Sequence, residues 1–156
     1  MTIEPVIDKD LSEILTLQKE CYIEEAELYN DHSIPPLTQT MESIKADLEG
    51  ETFYKVKNGN RIIGSVRIKI DGDTGKIGRL IVNKDFRNLG IGKKLMNFVE
   101  ITHNDLGRFE LFTGHKSDRN LYLYNKLGYS EFKRVRISEN LELVFLEKMI
   151  DKTVPQ

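Results

Sequence analysis

The chain has 156 residues, a net charge of −2 and a balance of 39% hydrophobic to 31% charged side chains, which excludes a disordered chain and a broad basic surface for nucleic acid. The length suits one domain with one core, spanning 1–156. The lone cysteine, Cys21, excludes an internal disulfide, the start Met1-Thr2-Ile3-Glu4-Pro5 lacks a secretory leader and no apolar run spans a bilayer, so a cytoplasmic protein without membrane or nucleic-acid partners is expected.

Residues 2–7 are expected to form a first strand. Asp10 and Glu13 have the spacing of a capping box, and Leu11, Ile14, Leu15, Gln18 and Tyr22 then follow at helical spacing to about residue 27. The Pro35-Pro36 stretch, 30–40, reads as a loop. Met41, Ile44 and Leu48 mark a second helix, capped at Thr38 or Thr40 and closed by Gly50. Strands are expected at 52–56 and 61–70 around an Asn58-Gly59 turn, whose central residues both need positive φ. A turn at 71–75 leads to a strand at 76–82, which makes a three-stranded antiparallel meander. An amphipathic helix then carries Ile91, Leu95, Phe98 and Val99 and ends at Gly107. A strand at 109–113, a helix at 121–127 stopped by Gly128, and strands at 132–137 and 141–149 complete the chain. Strand–helix–strand over 76–113 predicts one parallel crossover, hence an α/β fold with a mixed sheet.

The segment most informative about chemistry is Arg87-Asn88-Leu89-Gly90-Ile91-Gly92-Lys93, between a strand and a helix. A helix's first turn leaves N–H groups without partners, and with the helix dipole these attract phosphate. Gly90 and Gly92 permit close approach, and Arg87 and Lys93 add positive charge. A P-loop would need Gly where Arg87 stands and Ser or Thr where Lys94 stands. A dinucleotide fingerprint would need Gly at Leu95. What remains is Arg-x-x-Gly-x-Gly.

This loop, the preceding Leu80-Ile81-Val82 and the segment Leu123-Tyr124-Asn125-Lys126-Leu127-Gly128-Tyr129 together resemble the GNAT (GCN5-related N-acetyltransferase) superfamily. Its members carry Gln/Arg-x-x-Gly-x-Gly/Ala and an aromatic-rich signature about thirty residues later, and element order matches over 2–149. The resemblance implies a GNAT fold: a mixed, mostly antiparallel sheet of about six or seven strands flanked by about four helices. It implies acetyl-CoA as acyl donor, a small-molecule or peptide amine as acceptor, no metal, and direct transfer in a ternary complex. Dimers are common in the family, which leaves a homodimer open.

Site roles follow from the same resemblance. Backbone groups of Leu80, Ile81 and Val82 would pair with the pantetheine arm and stabilise the oxyanion. Arg87, Asn88 and the amides of Leu89, Gly90, Ile91, Gly92 and Lys93 would hold the pyrophosphate. Tyr124 would be the general acid for the leaving thiolate, its phenol pKa being not far above a thiol's. Many relatives place Asn where this chain has Ser117; either Ser117 or Asn120, one turn later, would contact the cofactor. Where many relatives carry a glutamate base this chain has Gly78 and Arg79, so the base is not on that strand and is either a carboxylate elsewhere or an ordered water.

The acidic run Glu24-Glu25-Ala26-Glu27 with Asp31 is either a solvated helix end or an acceptor site, in which Glu24, Glu25 and Asp31 attract a cationic amine. Cys21 reads as a small core residue, Ser117 equally as an N-cap. His32, His103 and His115 lack zinc-ligand spacing, and 71–75 lacks a calcium loop's ligand set. A non-catalytic acyl-CoA sensor is the main rival function and an interaction module the third; Tyr124 separates the first two. Valine at Gly90 is expected to block the cofactor without changing the melt.

Overall fold

The computed structural model describes residues 1–151. Its strands are β1 (Thr2–Pro5), β2 (Thr52–Asn58), β3 (Arg61–Asp71), β4 (Thr74–Val82), β5 (Arg108–Gly114), β6 (Ser130–Arg136) and β7 (Glu142–Met149). Its helices are α1 (Leu11–Leu28), α2 (Pro35–Thr38), α3 (Met41–Gly50), α4 (Ile91–Thr102) and α5 (Asp118–Lys126). The seven strands form one sheet in the order β1-β2-β3-β4-β5-β7-β6. All pairs are antiparallel except β4 with β5, the expected crossover through α4. The mixed α/β class and the strand number agree with expectation.

Helices cover both faces, so the central strand β3 is buried on both sides from Ile62 to Ile68. On one face Leu11, Ile14, Leu15 and Leu17 of α1 and Ile44 of α3 pack on Phe53, Ile62 and Ile81. On the other, Ile91, Leu95, Met96 and Val99 of α4 and Tyr124 of α5 pack on Val56, Ile63, Val66 and Ile68.

Several local expectations are corrected. The capping box does not form at Asp10 and Glu13. Asp10 instead accepts from the Ile7 amide at 2.9 Å and from Lys55, and Glu13 accepts from the Ile62 amide at 2.7 Å. The Pro-Pro loop contains the one-turn helix α2, because proline suits a helix's first positions. Thr40 does cap α3, accepting from the Ser43 amide, but Gly50 is its last helical residue and Glu51 leaves in extended conformation. The β2–β3 turn is Gly59-Asn60, with positive φ at Gly59 alone, the type II′ pattern. Helix α4 ends at Thr102, ahead of Gly107.

Two irregularities make room for a site. β4 pairs with β5 only over Thr74–Lys76 against Arg108–Glu110; beyond that β4 stays with β3 and β5 with β7. The sheet therefore parts into two arms at the end of β4. β4 also bulges: Ser65 pairs with Ile81 and Arg67 with Gly78, so Arg79 and Leu80 together oppose Val66. Arg79 takes φ +45, a strained value for a residue with a side chain.

Candidate active site

The end of β4, α1, the start of α4 and α5 line a cleft of about 530 Å³. Of the residues singled out in the sequence, Leu80, Ile81, Val82, Arg87, Asn88, Gly90, Ile91, Gly92, Lys93, Ser117, Asn120, Glu24 and Glu25 line it. Leu89 does not; its side chain is exposed, though its amide belongs to the loop. Asp31 lies outside the cleft and turns its carboxylate onto the Ser33 amide and hydroxyl.

Asn88 at φ +63 and Gly90 at φ +78 curl the loop into α4, whose N-cap is Gly90. The first internal bond of α4 runs from the Lys94 amide to the Gly90 carbonyl at 3.0 Å. Amides 88–93 donate to no protein acceptor among the described residues. Left-handed residues followed by a helix start turn successive N–H groups inward, which makes an anion-binding concavity. Gly90 meets nothing within 4 Å where a Cβ would stand, but its positive φ strains any side chain, so the expectation of an unchanged melt for valine is withdrawn.

Arg87 has one guanidinium nitrogen engaged by the protein. Its Nη1 donates to both oxygens of Glu24 on α1 at 3.0 Å, tying the loop to that helix. Basic side chains absent from the sequence-based site, Lys116, Arg119 and Lys126, line the cleft from the α5 side. Their signal was their place around the helix that carries the aromatic signature. At the end of β4, Cys21 Sγ donates to the Val82 carbonyl at 3.4 Å, and burial pushes its thiol up to about 11.

Ser117 occupies the N-cap position of α5 without capping it. Its hydroxyl donates to Glu25 Oε2 at 2.6 Å and lies 2.8 Å from the Tyr29 hydroxyl. Its one proton is committed to a carboxylate, which only accepts, so Tyr29 donates to Ser117. The Tyr29 oxygen also accepts from the Lys116 amide at 2.8 Å. Asn120 is drawn to Thr113, its Nδ2 donating to Oγ1 at 3.3 Å.

Tyr124 sits behind the cleft wall, 6% exposed, its ring 6.1 Å from that of Tyr129. Its hydroxyl has no hydrogen-bond partner among the described residues, and none of their buried side-chain polar atoms is left unpaired. That hydroxyl therefore reaches accessible space rather than sealed core. Burial pushes the phenol well above its ordinary value, and nearby Tyr22 and Glu25 raise it further. Tyr22, on the cleft wall, is pushed up to about 12 by burial. For Tyr124 this direction runs against the expectation of a phenol close to a thiol in acidity.

A family model described as the Acetyltransferase (GNAT) family matches residues 11–129. The chain belongs to that family. The Bacillus subtilis UPF0157 protein YqkA is 33% identical over 84% of this chain, and the match spans only 38% of that protein's length. The GNAT architecture recurs in the ribosomal-protein-S18-alanine N-acetyltransferase of Escherichia coli, with TM-score 0.80 and 13% identity over 99% of both chains. A Salmonella typhimurium protein solved with its cofactor acetyl-CoA has TM-score 0.74 and 16% identity, covering 100% of this chain and 97% of its own. At these identities the two solved structures bear on the fold. No helix among the described residues is long and apolar enough to cross a membrane.

Proposed function

We propose that this GNAT protein transfers an acetyl group from acetyl-CoA to a primary amine by direct attack in a ternary complex. The observation that carries the reading is the run of unpartnered amides at 88–93, set on a cleft beside the unpaired end of β4. That donor set fits a diphosphate: backbone N–H groups at a helix start, with Lys93, Lys116, Arg119 and Lys126 around them. Acetyl-CoA bound there supplies a thioester carbonyl.

The chain's own residues then divide the work. The unpaired edge of β4 at Leu80, Ile81 and Val82 aligns the pantetheine arm as an added strand and directs an N–H at the developing oxyanion. Glu25, held through one oxygen by Ser117, keeps the other for the acceptor's ammonium group and takes its proton. The amine nitrogen forms the new bond to the acyl carbon, the C–S bond breaks, and Tyr124 protonates the departing sulfur.

Free-thiol release from acetyl-CoA over an amine panel, paired with calorimetric titration of CoA, tests this. Tyr124→Phe is expected to lower kcat by about 10²- to 10⁴-fold with CoA affinity kept. Undiminished turnover would remove Tyr124 from the acid role. Tight acetyl-CoA binding without turnover of any amine would favour the sensor, and no CoA binding at all an interaction module.

A further inference from the structure

A second hollow, of about 300 Å³, is lined by Pro35, Thr38, Gln39, Thr40, Ser43 and Arg79. Arg79 directly precedes Leu80, a wall residue of the first cleft, and its charge acts on Tyr22 of that wall. The β4 bulge and the strained backbone of Arg79 take this residue out of the regular strand pairing.

Three of the side chains that line this hollow, Arg79, Thr40 and Ser43, keep donors that no protein acceptor among the described residues takes. No carboxylate lines it. Two acids within range of Arg79, Asp47 and Glu51, are held by the buried Arg67 at 2.7 and 3.9 Å. Arg79 itself makes no ion pair among the described residues; one N–H donates to Gln39 Oε1. Gln39 is in turn clamped by Gln18 Nε2 at 3.0 Å and by its own donation to Asp47 at 2.6 Å. A guanidinium has about five N–H donors in a planar fork, so most of this one is uncommitted. Thr40 Oγ1 accepts from the Ser43 amide at 3.1 Å and Ser43 Oγ from Gln39 Nε2 at 3.0 Å. Neither hydroxyl proton has an acceptor among the described residues, which adds two donors.

We propose that this hollow binds a carboxylate of the amine acceptor, with Arg79 as its principal contact, so that the acceptors are amino acids or other amino-carboxylates. The proposal rests on the acetyl-transfer reading above and names the substrate class. Planar, bidentate recognition is what an Arg fork supplies and a point charge does not.

The test measures thiol release with free L-α-amino acids, their carboxamides, and the amines that lack the carboxyl group, all with matched side chains. The expected result is a preference for the free acids of about ten- to hundredfold in kcat/KM, the scale of a charged hydrogen-bond pair. Arg79→Gln is expected to collapse that preference by raising KM for the acids, and Arg79→Lys to restore part of it. Retained acetyl-CoA affinity by calorimetry shows that the variants are folded. Amines turned over without regard to the carboxylate would overturn this proposal alone, as would equal loss for acids and amides in Arg79→Gln. Absence of turnover with every amine, despite acetyl-CoA binding, would overturn the transferase reading and this proposal with it.

Discussion

Gly90 decides more by its backbone than by its missing side chain. Its φ of +78, with Asn88 at +63, turns the loop so that successive amides face the cleft before α4 begins. A Cβ there meets nothing within 4 Å, so Gly90→Ala brings strain without a clash. The left-handed conformation costs an alanine about 1–2 kcal/mol, which lowers Tm by roughly 2–8 °C in a domain of this size. The added methyl also crowds the amides. Thermal melting and calorimetry should show both a modest drop in Tm and weaker acetyl-CoA binding. Full affinity in a strained but folded variant would mean that the diphosphate does not sit on this loop.

Between elements, the cleft is held in shape by contacts from α1. Arg87 joins the amide loop to Glu24, and Tyr29, just past the end of α1, joins that helix to the turn before α5. Gly114 makes the second contact possible, since a Cβ there would collide with the Tyr29 hydroxyl. The resulting relay, Tyr29 to Ser117 to Glu25, fixes a carboxylate on the cleft wall, the one proposed to meet the acceptor. Tyr29→Phe leaves the Lys116 amide and the Ser117 oxygen without their partner. The expected cost is about 1–3 kcal/mol, read as a lower urea midpoint, together with a fall in kcat as Glu25 loses its support. An unchanged midpoint would show that the relay contributes nothing to stability.

Across the molecule, burial of weak acids makes alkaline pH the vulnerable side. Cys21 rises from 9.0 to about 11 and Tyr22 from 10.0 to about 12, and Tyr124 and Tyr129 move further in the same direction. The folded state keeps these protons at pH values where the unfolded chain releases them. Their contribution is therefore complete below about pH 9 and falls as pH rises through the unfolded values toward the folded ones. Urea denaturation at a series of pH values should give stability that is flat with respect to these groups below about pH 9 and then declines through pH 12. Tyr22→Phe should lessen the slope between pH 10 and 12. Stability that held level from pH 9 to 12 would contradict this account.

Element order, the mixed sheet, the amide loop and the acid-bearing end of α1 are legible in the chain itself. Each depends on residues close in sequence: a hydrophobic period, a glycine pair, a threonine three residues before Ser43. What local pattern does not carry is which polar groups find each other across the fold. Arg87 meets Glu24 from 63 residues away, and Tyr29 meets Ser117 from 88. Those pairings convert expected ligands into structural ties, because a side chain's partner is set by where two elements dock. The parting of β4 from β5 and the bulge at Arg79 are likewise properties of the sheet, since strand register is a relation between segments. So the sequence determined that a helix start with unpartnered amides would follow a glycine loop, because that depends on neighbouring residues, and only the tertiary structure decided that a hollow holding Arg79 would form, because that depends on strand register.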